Sequence, residues 1–204
     1  RFRITPALIF IAAGLLSTGA MAHIGVENHT HAGFGAGFVH PLGGMDHLAV
    51  MLAVGLWSAL SARRAGPELL WGPAGFAGML LAGAWLGLQG VAIPAVEPMI
   101  AASLLVTGLL VASRLHVPGL LAALLVGAFA LFHGLAHGYE LADSPSAARV
   151  LLGMLSATVM LHLAGLGLGW TLRRANVWVP RALGAGVEIL LVFRVRNGGG
   201  NGAF

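Results

Sequence analysis

Two short stretches of the sequence concentrate side chains that could bind a metal ion. They are HPLGGMDH, which begins at residue 40, and LFHGLAHGYE, which begins at residue 131. The chain contains no cysteine, so a metal would be held by imidazole, carboxylate, thioether, backbone or water. Imidazole and carboxylate suit nickel, cobalt or zinc. The candidate ligands are His40, Asp46 and His47 in the first stretch and His133, His137 and Glu140 in the second.

In the first stretch, a proline and a glycine pair separate His40 from Met45. These residues make a continuous helix improbable, so we expect His40 to lie in a turn before a helix that begins near Met45. Such a bend could fold His40 back toward Asp46 and His47. The alternative is that Asp46 stabilises the N-terminus of the helix through its negative charge, and that His47 anchors the helix at the interface between membrane and water. For Asp46 taken alone, the alternative is the simpler interpretation.

The second stretch is predicted to end a helix. On a helix, His133 and His137 are one turn apart and Glu140 follows on the same face, which aligns three metal-capable side chains. Gly134 and Gly138, also four residues apart, would let a neighbouring helix approach closely. Heme binding, core packing and hydrogen bonding to carbonyl groups are alternatives for such a histidine pair. Inside a membrane, however, ionisable residues are costly and usually line a pathway or a site.

The composition is that of a membrane protein. Of the 204 residues, 58% are hydrophobic and 9% are charged, and the mean hydropathy is +0.89, far outside the range of soluble domains. The eleven basic residues are all arginine and mostly form short clusters between apolar runs. That pattern indicates orientation in a lipid bilayer rather than binding of nucleic acid.

These features predict an all-α integral membrane protein, a polytopic helical bundle of about six transmembrane helices after an N-terminal signal peptide. The sixth span is the weakest, because Arg181 and Glu188 interrupt it. The predicted spans are residues 45–62, 69–88, 95–113, 118–137, 148–172 and 177–193.

Residues 1–22 have the pattern of a signal peptide, with Arg1 and Arg3 before an apolar run and small residues before a cleavage point after Ala22. An uncleaved first anchor is the alternative. Either version leaves residues 23–39 as an extracytoplasmic segment and places the first arginines inside. The remaining predicted units are a transmembrane bundle over residues 40–193 and an atypical glycine-rich tail over residues 194–204.

The distribution of arginine supports the same orientation. Arginine pairs or single arginines follow spans one, three and five, and the loops on the opposite side are mainly acidic. Span one then begins outside and span four ends outside, so the two histidine stretches lie at the same membrane face. His162 lies deeper, midway along span five, where it could receive an ion from them. Its alternative role is a hydrogen bond between helices.

At these residues the chain resembles the HupE/UreJ family of small membrane nickel transporters. The family's first pattern, a histidine separated by five residues from Asp-His, matches His40, Asp46 and His47. Its second pattern, Phe-His-Gly-x-Ala-His-Gly-x-Glu, matches residues 132–140 throughout. The resemblance extends from the signal peptide to about residue 184 and implies ligand roles for the six side chains of the two stretches and, less directly, for His162.

The resemblance also implies a function. It implies secondary uptake of nickel, or of cobalt, across the bacterial inner membrane in support of hydrogenase or urease maturation. We therefore expect the metal ion as transported substrate, no permanently bound cofactor and no enzymatic activity. The maturation proteins would be indirect partners, and the sequence is compatible with a homo-oligomer.

Three other functions fit parts of the sequence. An intramembrane zinc hydrolase could use the same histidines with Glu140 as base, although HGLAH lacks the glutamate of the HExxH motif. A heme subunit could use His133, His137 or His162 as axial ligands. A structural membrane chaperone would need none of them.

The C-terminal sequence, with Glu188, two arginines and a glycine-rich end, departs from the family's plain apolar last span, and we expect a truncated or misread gene end there.

Imidazole ligation makes a testable prediction about pH. Histidine must be neutral to bind a metal, and its unperturbed pKa is about 6.5. We expect metal uptake to fall as the external pH is lowered through that range. Initial rates of nickel uptake measured between about pH 5 and 8 check this, and a flat profile would count against imidazole ligands.

Overall fold

The computed structural model describes residues 33–198. Within that range the chain forms seven α-helices, one short 3₁₀-helix and no strand, so the all-α prediction is confirmed. The 3₁₀-helix, Pro67–Leu70, leads directly into the third α-helix. The α-helices are α1 (Phe34–Gly43), α2 (Met45–Ser61), α3 (Trp71–Leu88), α4 (Val96–Ser113), α5 (Gly119–Glu140), α6 (Ala147–Leu172) and α7 (Trp178–Gly198).

Four helical stretches in the described residues are long and apolar enough to cross a membrane. A fifth is obtained if α1 and α2, which meet at an angle of 84°, form one broken span. Helix α7 lies where the sixth span was predicted but does not join this group, since every 18-residue stretch of it contains at least three charged residues, Arg181, Glu188 and Arg194. The predicted number of about six spans is therefore not confirmed. The four stretches are Pro67–Leu88, Val96–Ser113, Gly119–Glu140 and Ala147–Leu172.

The segments predicted at the two ends of the chain can be compared with the structure only in part. The predicted signal peptide lies outside the described residues, as do residues 23–32 of the segment that should follow it. The described part of that segment is helical, because α1 begins at Phe34. At the other end, α7 continues to Gly198 and so includes the first five residues of the predicted tail.

Helices α3 and α5 approach each other closely through glycine. A Cβ atom on Gly83 would overlap the carbonyl oxygen of Leu131, and a Cβ on Gly134 would overlap that of Leu80. Gly138 meets the carbonyl of Ala84 in the same way, so Gly134 and Gly138 do let a neighbouring helix approach, as predicted. Small residues at a helix crossing allow the two backbones to pack in direct contact, which is a common way for membrane helices to associate.

A second close pair joins α2 to α6. Gly55 packs against the carbonyl of His162, and Gly165 packs against the carbonyl of Leu52. Trp57, fully buried beside this contact, donates a hydrogen bond from Nε1 to the Leu115 carbonyl over 2.9 Å. The buried indole therefore links the C-terminal half of α2 to the loop that follows α4.

Large apolar side chains cover much of the outer surface of the bundle. Trp85, Leu124 and Leu163 are each more than half exposed, although each lies within a long helix. In water such a surface would be unfavourable, whereas lipid tails solvate it at no cost. The exposed apolar surface agrees with the location of the chain in a bilayer.

The contact between α3 and α5 predicts a difference between two glycine substitutions in the same helix. Gly83→Ala should destabilise the protein by about 1–3 kcal/mol, since the backbones must separate to admit the methyl group. Gly78→Ala should be neutral or slightly stabilising, because no atom lies within 4 Å of the added Cβ. The two variants are compared by thermal unfolding in detergent, which is monitored as the loss of the monodisperse peak. Equal midpoints would contradict a direct backbone contact.

Candidate metal site

The break between α1 and α2 places His40 and His47 on facing surfaces. Gly44 separates the two helices with an extended backbone (φ −91°, ψ 113°). The resulting bend brings the centroids of the His40 and His47 rings to 5.6 Å, so the predicted folding back of His40 is confirmed.

The expectation that His40 lies in a turn is wrong, because His40 is part of α1. Pro41 removes one backbone donor, but its φ angle is compatible with a helix. The helix therefore continues past Pro41 and ends only where Gly44 becomes extended. His40 is thus held by a helix rather than by a loop.

Helix α5 supplies the third imidazole of the site. His137, which is 5% exposed, lies with its ring centroid 4.8 Å from that of His40 and 4.9 Å from that of His47. One potential ligand atom from each of the three rings lies within 4.8 Å of the other two. Residues that are up to 97 positions apart in the sequence therefore converge on one small volume.

Two carboxylates orient two of these rings. Asp46 Oδ1 lies 3.3 Å from His47 Nδ1, and Glu140 Oε2 lies 3.4 Å from His137 Nδ1. A carboxylate can only accept, so each Nδ1 carries a proton, and in the neutral ring the lone pair is on Nε2. Carboxylates commonly orient metal-binding histidines in this way.

The two Nε2 atoms of His47 and His137 are 3.0 Å apart. If both rings are neutral with their protons on Nδ1, two lone pairs face each other across this distance. A proton on one of the rings, or a cation bound by both, would convert this repulsion into an attraction. The arrangement therefore favours a positively charged occupant.

His133 lies one turn deeper on α5 and is almost completely buried. Its ring centroid is 5.2 Å from that of His47. Ser103 Oγ donates to the Ile100 carbonyl over 2.6 Å, so its oxygen accepts from His133 Nε2 over 3.0 Å. The ligand atom of the neutral His133 ring would then be Nδ1.

His162 does not belong to the group formed by His40, His47 and His137, called here the three-histidine group. The ring of Phe76 is close to both deeper histidines, with its centroid 6.0 Å from that of His133 and 5.2 Å from that of His162. His162 is 2% exposed, and its Nε2 has no hydrogen-bond partner among the described residues. It is therefore a buried imidazole with a polar atom facing apolar surroundings.

Sequence reasoning missed two side chains that shape this arrangement. Ser103 is one of several hydroxyl residues in apolar helices, and nothing in its sequence context singles it out. Phe76 is one of nine phenylalanines, and only the packing of α3 against α5 and α6 shows that it contacts two histidines. A search for aromatic residues in spans without histidine could have found Phe76.

The fold and the site define an α-helical membrane protein with a buried group of histidines near one end of its helices. A sequence profile described as HupE / UreJ protein matches residues 11–193. The chain is also 40% identical over 183 residues to Protein HupE of Rhizobium leguminosarum bv. viciae, covering 88% of this chain and 91% of that protein. The chain therefore belongs to the HupE/UreJ family. No solved structure gives a significant match.

The hydrogen bond between Glu140 and His137 makes a prediction about metal affinity. Glu140→Gln keeps the acceptor oxygen but removes its charge, so nickel affinity should fall by roughly 10- to 100-fold. Equilibrium dialysis of the purified protein against radioactive nickel measures this change. Asp143→Asn is the matched control, because Asp143 is an exposed acid just beyond the same helix. An equal loss in both variants would indicate a general charge effect instead.

Proposed function

We propose that this protein takes up a divalent transition metal ion across the bacterial inner membrane, with nickel as the substrate and cobalt as the alternative. The observation that carries the proposal is the convergence of His40, His47 and His137, whose ligand atoms lie within 4.8 Å of one another. Membership of the HupE/UreJ family and the membrane-spanning helices support it. The transported ion would support hydrogenase or urease maturation.

The spacing of the imidazoles fits ligands of one ion. Two nitrogen ligands about 2.1 Å from a metal are about 3.0 Å apart when they subtend a right angle. The Nε2 atoms of His47 and His137 have that separation, 3.0 Å. We assign His40, His47 and His137 to direct coordination. Asp46 and Glu140 would hold the rings in place, with their carboxylates also available to the ion.

Charge balance favours a divalent substrate. The site contains three imidazoles that bind metals when neutral, together with the carboxylates of Asp46 and Glu140. An ion of charge +2 and two carboxylates sum to zero, which limits the cost of bringing the ion into a low-dielectric region. A monovalent cation would leave one uncompensated negative charge.

The deeper histidines suggest a path. An ion would lose water to the three-histidine group and then reach His133, whose ring contacts that of His47. It would next pass Phe76 to reach His162. Mixed histidine and carboxylate ligation would release the ion more readily than a closed site, as conduction requires. With the mature N-terminus in the periplasm, this path leads inward.

Uptake of radioactive nickel in cells that lack their own nickel importers tests the proposal. His40→Ala and His137→Ala should each lower the initial rate by about tenfold or more, since each removes one of three ligands. Val39→Ala is the matched control, because Val39 is an exposed neighbour of His40 on the same helix. All variants are compared at equal abundance in the membrane.

Other results would redirect the assignment. Nickel binding without uptake would contradict transport and favour a metal-dependent enzyme such as the zinc hydrolase, which a hydrolysis assay with zinc would then examine. If the protein showed neither nickel binding nor nickel uptake, the assignment of a metal site would be wrong. In that case a Soret band in the purified protein would identify a heme subunit.

A further inference from the structure

A cavity of about 250 Å³ lies at the end of the bundle opposite the three-histidine group. It is lined by the end of α2, the 3₁₀-helix, the first turn of α3 and the residues that precede and begin α5. A water molecule occupies about 30 Å³ in the liquid. The cavity therefore has room for a cation that keeps several of its waters.

The polar lining of this cavity contains two side chains of types that can bind metals. Glu68 and His116 both line it, together with the hydroxyl residues Ser58 and Ser61. Among the described residues, one acidic residue, Glu68, and one histidine, His116, lie at this end of the bundle. The other acidic residues and histidines lie at the opposite end or within the helices. The two side chains best suited to a divalent ion thus share one pocket.

His116 is held in the tautomer that binds metals through Nε2. Its Nδ1 lies 3.2 Å from the carbonyl oxygen of Ser61, which can only accept. The proton is therefore on Nδ1, and the lone pair of the neutral ring is on Nε2. A backbone carbonyl is one of the usual partners that orient a metal-binding imidazole.

Glu68 keeps its charge available. Two arginines, Arg63 and Arg64, precede it, yet Glu68 forms no salt bridge with any described residue. Its Oε1 accepts only a long hydrogen bond of 3.4 Å from the backbone N–H of Arg64. A carboxylate beside arginines that it does not pair with can instead attract a cation.

The cavity also continues the path from the deep histidine. On α2, Gly55 packs against the carbonyl of His162, and Ser58 follows about one helical turn later. On α3, Phe76 contacts His162, and Gly72 lies one turn nearer the cavity, which it lines. By helix rise, Ser58 is about 16 Å from His47 along α2.

We propose that this cavity is a second divalent-cation site, with Glu68 and His116 as ligands, from which the transported ion is released. The inference rests on the proposed uptake function and extends it to the far end of the path. Arginine is abundant at this end, for example Arg114 and Arg173. A cation that arrives there meets a positive field, and the carboxylate of Glu68 offsets it. Two protein ligands and retained water bind the ion weakly enough for release.

Nickel binding to the purified full-length chain tests the site independently of transport. In a chain with His40→Ala, His47→Ala and His137→Ala, equilibrium dialysis should still detect about one nickel ion per chain. Adding Glu68→Gln and His116→Asn should abolish that binding, although these changes retain the acceptor oxygen and the Nδ1-like donor. Absence of nickel binding in the first chain, or binding that survives the two added changes, would overturn the proposal.

Transport provides the second readout. In the otherwise unchanged protein, Glu68→Gln with His116→Asn should lower the initial rate of nickel uptake about tenfold, while affinity at the three-histidine group stays at the wild-type value. That retained affinity shows that the variant is folded, and Asp143→Asn serves as the control for loss of a carboxylate. A rate within twofold of wild type would overturn release through this cavity. If the wild-type protein shows no uptake, the proposed function fails, and the binding experiment alone still decides the site.

Discussion

Direct contact between helix backbones at glycine is the constraint on which the histidine site depends. Gly134 and Gly138 bring α5 against α3, while Gly55 and Gly165 bring α2 against α6. In a bilayer, apolar side chains gain little by leaving lipid for protein, so close packing and polar contacts must hold the helices together. A single Cβ at these positions would separate the backbones and move the imidazoles on α2 and α5 apart.

The bend at Gly44 solves a different problem. Three imidazoles cannot meet from one straight helix, because a helix places neighbours on one face only at spacings of three or four residues. Breaking the chain between α1 and α2 turns His40 back over His47, and α5 then adds His137 from the side. A broken helix inside a membrane protein is tolerated where its polar groups face protein or a polar cavity.

The two ends of the bundle differ in the side chains they offer to an ion. The three-histidine group combines three imidazoles with two carboxylates, which in the proposed uptake would replace much of the hydration shell of an ion. The cavity at the other end, about 250 Å³ in volume, is lined by one carboxylate and one imidazole, so an ion in the proposed second site would keep more of its water. Between the two ends, the apolar ring of Phe76 contacts both His133 and His162.

The sequence by itself determined the helical membrane class, the positions of most helices and the two histidine-containing stretches, because long apolar runs and i,i+4 spacing are local properties. It also identified Gly134 and Gly138 as a packing surface. Local patterns did not show that α1 continues past Pro41, because the missing backbone N–H of one proline does not by itself decide whether a helix ends there. The pairing of His47 with His137, the role of Phe76 and the shared cavity of Glu68 and His116 were decided only by tertiary structure. Each depends on which helices pack together, and that choice is made by contacts between residues far apart in the chain.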